Sequence, residues 1–542
     1  MPLSDENKTL LDRAQRLEIE RDTQWQEAWD DVWRYEAPHR QRKDIVGNEP
    51  MFRHINDSTG MTGLASFASF ILAGTTPAWM PWAVLSPGPE FKGEEREARL
   101  DELKEANEKL FFHFNTSNYY QEAPIAMQDY AIGTGVLVVQ PNENGSGIQF
   151  KAVPMESMTF DDRSSGQVDY IFDKKKIPAR EILAKYGPEG TGSIDSVTDK
   201  GYLDLLENKP DDRLSVWVIT VPTDDIDPDS KFKHVMITAE GSEGGILLED
   251  KEMDINNYNV FRFDRPHHSQ YGVGPGLFAY PDVRYLNAIR GVALKNAALQ
   301  MAGVFTGVDD GVFDPRTVVL EPGAIIPVLS NDVANPTLSP LPSGSSVELA
   351  QFEINTMRGD IDRMFFLDQF SPAQGSKLTA TEVLMKAKLI AQRLGTAYGR
   401  LQVEYLMPIV KKTVKILQDQ GEIDKSINLD FVNTDVVFLS SLAQAQRLQE
   451  SEALIQWVTL VTEFAGQDMA SAMVPNKAKI ARKLAELTQI DRDVINSEAE
   501  VKKQIETVVE ETQNLTGEMQ GGLQNAGQES GFQEPDIPGP FG

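Results

Sequence analysis

Asp225, Asp227 and Asp229 alternate like the opening of a calcium loop, which supplies oxygen ligands at every second position, then a sharp-turn Gly and a bidentate Glu at the twelfth. Ser230 stands where the Gly is required and Met236 where the Glu belongs, so the run reads as a solvated acidic loop. Gly272, Gly274 and Gly276 form G-x-G-x-G with Pro275 inside, which lacks the dinucleotide spacing. No G-x-x-x-x-G-K-[ST] phosphate loop occurs, so the glycines read as a turn leading into a helix. His267 and His268 are adjacent and would diverge in an extended segment, without an H-E-x-x-H partner. A G-x-S-x-G nucleophile elbow is also absent. The carboxylate pairs Asp161-Asp162, Asp211-Asp212 and Asp309-Asp310 are common by chance among 82 acidic residues, and a working acid–base pair needs burial, so solvation is expected for each. The short basic runs Arg40-Gln41-Arg42-Lys43 and Lys174-Lys175-Lys176 suit a surface face or an acidic partner.

Zero Cys among 542 residues excludes disulfides, thiolate zinc sites, iron–sulfur ligation and a thiol nucleophile. The expectation is therefore no catalytic residue, no metal and no cofactor. With 52 Lys and Arg against 82 Asp and Glu the net charge is −30, which disfavours a tight grip on nucleic acid but allows a protein to enclose DNA without holding it. The length points to two or more domains, and 41% hydrophobic with 25% charged residues is a globular composition. The first residues carry no basic stretch followed by an apolar run, so the chain is expected to stay in the compartment where it is made. Ser58 to Pro89 has no charged residue, but Pro77, Pro81 and Pro87 interrupt it, which predicts a buried helix and loop and no membrane span.

The elements that must position these residues follow from periodicity. Helical spacing of Leu10, Ala14, Leu17, Trp25, Ala28 and Val32 predicts an amphipathic helix over Glu6 to Glu36, and a charged helix follows over Glu94 to Phe114. Strands are expected at Val136 to Gln140, Ile148 to Val153, on both sides of Ser164-Ser165-Gly166, and at Leu214 to Val221, Lys233 to Thr238 and Asn259 to Phe263. Pro281 and Asp282 suit the first turn of a helix to Met301. A small β-type insertion over Gly303 to Val328 precedes a helix with Val347, Ala350, Ile354, Met357, Ile361 and Met364 on one stripe. Thr379 and Glu382 have capping-box spacing ahead of Val383, Ala387, Ile390, Leu394, Ala397 and Leu401, a long helix that Pro408 should kink. Phe366 to Lys377 between them reads as an irregular loop, and the C-terminal part returns to helix before a Gly-, Gln- and Pro-rich tail from Gly517.

The order of these features resembles the portal, or head-to-tail connector, proteins of short-tailed double-stranded DNA bacteriophages. The residues that carry the likeness are Asp57-Ser58-Thr59-Gly60 with the apolar run to Pro77 and Trp82, then Phe261-Arg262-Phe263. Next come Tyr271-Gly272-Val273-Gly274-Pro275, Pro281-Asp282-Val283 and Leu286-Asn287. Last are Thr379 to Val383, Leu394-Gly395, Arg400-Leu401-Gln402, Glu404 and Leu406-Met407-Pro408.

The resemblance implies an α+β, predominantly helical portal fold with wing, stem, clip and crown, assembling as a ring, usually of twelve. It implies a wing over residues 1–265, a first stem helix within 266–302, a clip over 303–344, and a second stem helix over 345–366. A channel loop over 367–378 follows, then a kinked wing helix and return over 379–439, crown and barrel helices over 440–516, and a flexible tail over 517–542. Asp368, Gln369, Phe370, Gln374 and Lys377 are then candidates to line the channel, and Asp309, Asp310, Asp314, Arg316 and Glu321 candidates to touch clip partners. Implied partners are other copies of the chain in a dodecamer, the major capsid protein, the terminase packaging motor, tail adaptor proteins, and double-stranded DNA passing without sequence-specific binding. The implied location is the portal vertex of the virion, and the host cytoplasm during assembly. Alternatives are a soluble multidomain acidic enzyme and another non-enzymatic virion structural protein.

Overall fold

The structure, a computed structural model, describes residues 3–40, 52–88, 90–91, 94–142, 145–162, 166, 168–187, 200–224, 231–238, 245–302, 305–307, 338–340, 347–367, 393–427, 429, 434–439, 451, 453–461, 479–481, 484 and 501. Two compact units divide the chain, Met1–Glu90 with Leu100–Ala443 and Phe91–Arg99 with Gln444–Gly542. In the second, residues 453–461 are helical and expose Ile455, Trp457 and Leu460.

The first unit is α+β and mainly helical. Ser4 caps α1 (Asp5–Arg21) by accepting from the Asn7 amide at 3.2 Å. A π-helical turn, Asp22–Gln26, joins α1 to α2 (Glu27–Glu36), so the helix expected from periodicity is continuous but changes its buried face. Leu11 and Ala14 of α1 pack on a five-stranded sheet, whereas Trp29, Val32 and Trp33 of α2 enter the main core.

The uncharged run forms α3 (Thr59–Thr75), with Leu64, Phe67, Ala68 and Ile71 buried, followed by β1 (Ala83–Pro87). Among the described residues no helix is long and apolar enough to cross a membrane. Helices α4 (Glu94–Thr116) and α5 (Tyr119–Ile132) lead to β2 (Thr134–Pro141) and β3 (Ile148–Ala152). Antiparallel strands β4 (Met158–Asp162), β5 (Val168–Pro178), β6 (Arg213–Pro222), β7 (Phe232–Thr238) and β8 (Leu247–Met253) form the five-stranded sheet in that order, with α6 (Ala179–Tyr186) and α7 (Lys200–Asn208) between β5 and β6. The period-2 rule sorts β6 between two cores: Val216 and Val218 face α6 and α7, while Trp217, Ile219 and Val221 face α1. Strand β9 (Tyr258–Arg262) pairs with β2, which is central in a sheet ordered β3-β2-β9.

Helix α8 (Pro275–Ala302) begins before the expected start at Pro281. Pro275 takes its first position, where a missing N–H costs nothing, and the preceding segment is clamped by Gly272 N donating to Thr134 Oγ1 and Gly274 N to the Ile132 carbonyl, both at 2.8 Å. A Cβ on Gly272 would lie 2.3 Å from the Gly133 carbonyl oxygen, so the glycine run serves a backbone crossing. After α8 come β10 (Phe305–Gly307) and β11 (Leu338–Pro340), paired antiparallel, then α9 (Val347–Met364). The helix after residue 392 comprises α10 (Gly395–Leu401), a π turn Gln402–Leu406 and α11 (Met407–Asp419). Strand β12 (Thr434–Phe438) pairs with β1.

The root of α9 rests directly on α3. A Cβ at Gly63 would fall 2.5 Å from the buried Phe365 ring, so Gly63→Ala should force overpacking and cost about 1–3 kcal/mol, read as a lower urea midpoint at unchanged m-value.

Candidate functional site

The channel candidates Asp368, Gln369, Phe370, Gln374 and Lys377, and the clip candidates Asp309, Asp310, Asp314, Arg316 and Glu321, lie outside the described residues, as do Thr379 and Glu382. The structure does place the elements on either side of them. Helices α8 and α9 pack together, α8 leading into β10 and β11 into α9, so the segment between leaves and returns at one neck.

A buried polar clasp holds this helix pair at its root. Asp57 Oδ2 accepts from Arg358 Nη2 of α9 at 2.6 Å and lies 3.9 Å from Arg290 Nε of α8. Its other oxygen accepts from the Thr59 amide and hydroxyl at 2.9 and 2.5 Å, starting α3. Burial alone would raise the Asp57 carboxyl, but the Thr59 bonds and the Arg358 guanidinium outweigh it and hold the group below its ordinary value. Asn287 of α8 completes the clasp: its Oδ1 accepts from the Asn56 and Asp57 amides and its Nδ2 donates to the His54 carbonyl.

On both sides of this clasp the helices carry exposed apolar groups. Phe278, Tyr285 and Val292 of α8 are each more than half exposed and lie seven residues apart, which keeps them on one stripe over two heptads. Leu294 of α8 and Phe352 of α9 are also exposed. From 288 to 298 no residue of α8 is buried, whereas Ala279, Val283 and Leu286 nearer its start are in the core. The predicted α9 stripe is observed, with Ile354, Met357 and Ile361 buried.

Where α9 ends, Phe366 adopts φ 61°, a left-handed conformation costly for a non-glycine residue, with its ring centroid 5.9 Å from that of Phe67 and 6.4 Å from that of Phe263. The helix that re-enters the core does so through the π turn, and Pro408 occupies the first turn of α11 directly behind it. That turn presents Glu404 to Arg262, which is 2% exposed, and Tyr405 to Tyr119, their hydroxyls 2.7 Å apart. Glu404 accepts from Arg262 Nη2 at 2.8 Å, Nε at 3.3 Å and the Arg262 amide at 2.8 Å. Arg262 Nη1 reaches Asp162 at 3.2 Å and the Gln270 carbonyl at 3.1 Å. Burial raises the Asp162 carboxyl in spite of Arg262 and Arg265 beside it.

Other patterns find structural employment. Asp161 pairs with Arg13 at 2.9 Å and Asp162 with Arg262 and Arg265, so this pair is engaged in ion pairs where solvation was expected. Asp211 and Asp212 make only exposed pairs, with Arg180 and Lys209. Lys174 bonds Glu18, and Arg40 bonds the buried Asp129. His267 and His268 have ring centroids 6.5 Å apart, and no His, Asp and Glu group among the described residues is placed to hold a metal. The Arg262–Glu404 and Asp57–Arg358 contacts were not nominated from the sequence as interacting pairs. A signal existed: Asp57, Arg262, Asn287 and Glu404 are all among the residues that carry the connector resemblance.

A family model described as bacteriophage head to tail connecting protein matches residues 7–495. Among solved structures, the chain is similar to one from "Neck of empty GTA particle computed with C6 symmetry", at 12% identity and a TM-score of 0.34, over 82% of this chain and 94% of that one. No curated protein matches.

One carboxyl at the root of α8 is left without a counterpart. Glu36, at the end of α2, is 1% exposed, and neither of its oxygens has a hydrogen-bond partner; Oε2 sits 2.9 Å from where a Cβ of Gly276 would be. Burial pushes its pKa well above the ordinary 4.5. The unfolded chain then releases a proton that the folded chain keeps, so this group's contribution to stability is full below pH 4.5 and declines as pH rises above it. Glu36→Gln should match the parent at pH 4 and exceed it at pH 8 by about 1–3 kcal/mol in urea denaturation, flattening the pH profile.

Proposed function

The chain belongs to the bacteriophage head to tail connecting proteins, and from that premise we propose that it is the portal: the ring at one capsid vertex through which the genome is packaged and later ejected. The family is structural and not enzymatic, and its place is the virion, at the junction of head and tail. In the proposed assembly twelve copies close around an open axis. The major capsid protein seats the ring, the terminase motor docks on it during packaging in the host cytoplasm, and tail adaptor proteins take the motor's place.

The observation that carries the ring is the apolar stripe of Phe278, Tyr285 and Val292 together with Leu294 and Phe352. A helix pair rooted by a buried clasp cannot cover its own outer faces, and a neighbouring copy of the same pair supplies the missing surface. In this reading residues 1–265 and 379–439 are wing, α8 and α9 with their flanks, 266–302 and 345–366, are stem, and 303–344 are clip. Residues 367–378 are the channel loop, with Asp368, Gln369, Phe370, Gln374 and Lys377 nearest the DNA. Residues 440–516 are crown, 517–542 a tail, and Asp309, Asp310, Asp314, Arg316 and Glu321 meet motor or tail.

Charge supports a conduit over a clamp. Twelve copies of a chain at −30 carry −360, facing a duplex with one phosphate charge per ~1.7 Å. Screening over about 8 Å confines the repulsion to the wall, where it opposes adhesion without steering the duplex from afar. Work for translocation then comes from the motor, and this chain is passage and docking platform.

Electron microscopy of the purified protein should find rings with an axial hole; a monomer insensitive to concentration, or a solid particle, would overturn the proposal. Val292→Asp combined with Phe352→Asp should shift sedimentation toward monomer while leaving its far-UV spectrum unchanged, since both side chains are exposed in the single chain. Deleting Ser371 to Ser376 should leave rings intact and lower the DNA retained per particle, whereas loss of rings would make the segment structural.

A further inference from the structure

A cavity of about 660 Å³ lies between the α6-side face of the five-stranded sheet and the β2–α11 side of the main core. That volume is typical of small-molecule sites, roughly 300–1,000 Å³. Its polar lining gathers three ammonium groups, Lys175 of β5, Lys185 of α6 and Lys251 of β8, around His234 of β7. Val138, Val218, Met236 and Ile416 supply apolar walls.

The ion pairing at this cavity leaves a positive remainder. Lys175 Nζ has its own partner, the buried Asp173, at 2.9 Å. Lys251 and Lys185 share one carboxylate, Glu249, at 2.7 and 3.9 Å, and Tyr186 also donates to it at 2.7 Å. Asp254 and Asp419, also in the lining, are matched by two lysines from outside the cavity, Lys231 at 3.9 Å from Asp254 and Lys415 at 3.7 and 3.5 Å from Asp254 and Asp419. One lysine charge therefore goes uncompensated in a chain whose net charge is −30. The imidazole of His234 registers the same field: burial first, then Lys251, Lys175 and Lys185, hold it down to about 4 against the pull of Glu249. Its Nδ1 is already engaged with Thr220 Oγ1 at 3.0 Å.

We propose that this cavity binds a small organic anion, its carboxylate or phosphate head between Lys185 and Lys251 and its apolar body against Val138, Val218 and Ile416. The head completes the charge balance that Glu249 alone leaves open, and the body removes apolar wall from water. The proposal is independent of the ring, since every group belongs to one chain.

Isothermal titration of the full chain with phenyl phosphate, benzoate and benzyl alcohol tests it. Saturable binding of one phenyl phosphate or one benzoate per chain, with none of benzyl alcohol, is expected, and the stronger of the two acids identifies the head. Lys185→Met and Lys251→Met should each weaken binding about tenfold, as loss of a charge-assisted hydrogen bond does, while Lys176→Met, on the other face of β5, leaves it unchanged. Lys185 and Lys251 side chains are 61% and 46% exposed, so both variants keep the fold. No saturable heat from either acid up to about 10 mM, benzyl alcohol binding as well as the acids, or an equal loss in Lys176→Met, would overturn the assignment.

Discussion

A guanidinium cannot shed its charge and carries five donors in a fixed plane, so once buried it obliges its surroundings to satisfy it. Arg262, the last residue of β9, is in that position, and its demands gather Glu404 of the π turn, Asp162 of β4, and the carbonyls of Gly166 and Gln270. Three stretches far apart in the chain, 162–166, 262–270 and the π turn, are thereby fixed to one point. The π turn matters because Glu404 and Tyr405 both reach inward while Val403 is left 69% exposed. Removing Glu404 would take away the carboxylate that meets this guanidinium at three points, so the π turn is pinned where it stands.

The same logic recurs on the other side of those residues, where Asp57 holds α8 and α9 together through Arg358 and Arg290. Buried ion pairs add little net stability over a well-packed apolar substitute, and their better-attested use is to fix register. That suits the helix pair: the apolar contacts of Ile354, Met357 and Ile361 tolerate sliding more readily than a carboxylate wedged between two arginines. A fixed root gives the exposed stripe a fixed direction.

Much of this was readable in advance, for physical reasons that differ by element. Periodicity located α1, α2, α4 and α9, because each buries one face, and the β-rich run of β6 located that strand, whose two faces enter two different cores. It missed β8, whose Leu247–Met253 sequence is charged on its outer half, and it started α8 late because Pro275 and Pro281 are equally good first-turn residues until the Gly133–Gly272 crossing decides between them. The site was legible only as order. Asp57, Asn287, Arg262 and Glu404 were noticed as parts of a resemblance, but their pairing spans 230 residues for the Asp57–Asn287 bond and 142 for Arg262–Glu404, distances over which sequence carries no geometric information. The cavity was hidden for the same reason: His234 faces Lys251 only through the register of β7 on β8.

The small pair β10–β11 brings Phe305–Gly307 alongside Leu338–Pro340, so the two ends of the intervening stretch are already adjacent. For a chain closed at its base, doubling the enclosed length adds only about 0.6 kcal/mol of closure entropy. Lengthening, shortening or replacing the sequence between these two strands should therefore leave the helix pair beneath nearly undisturbed.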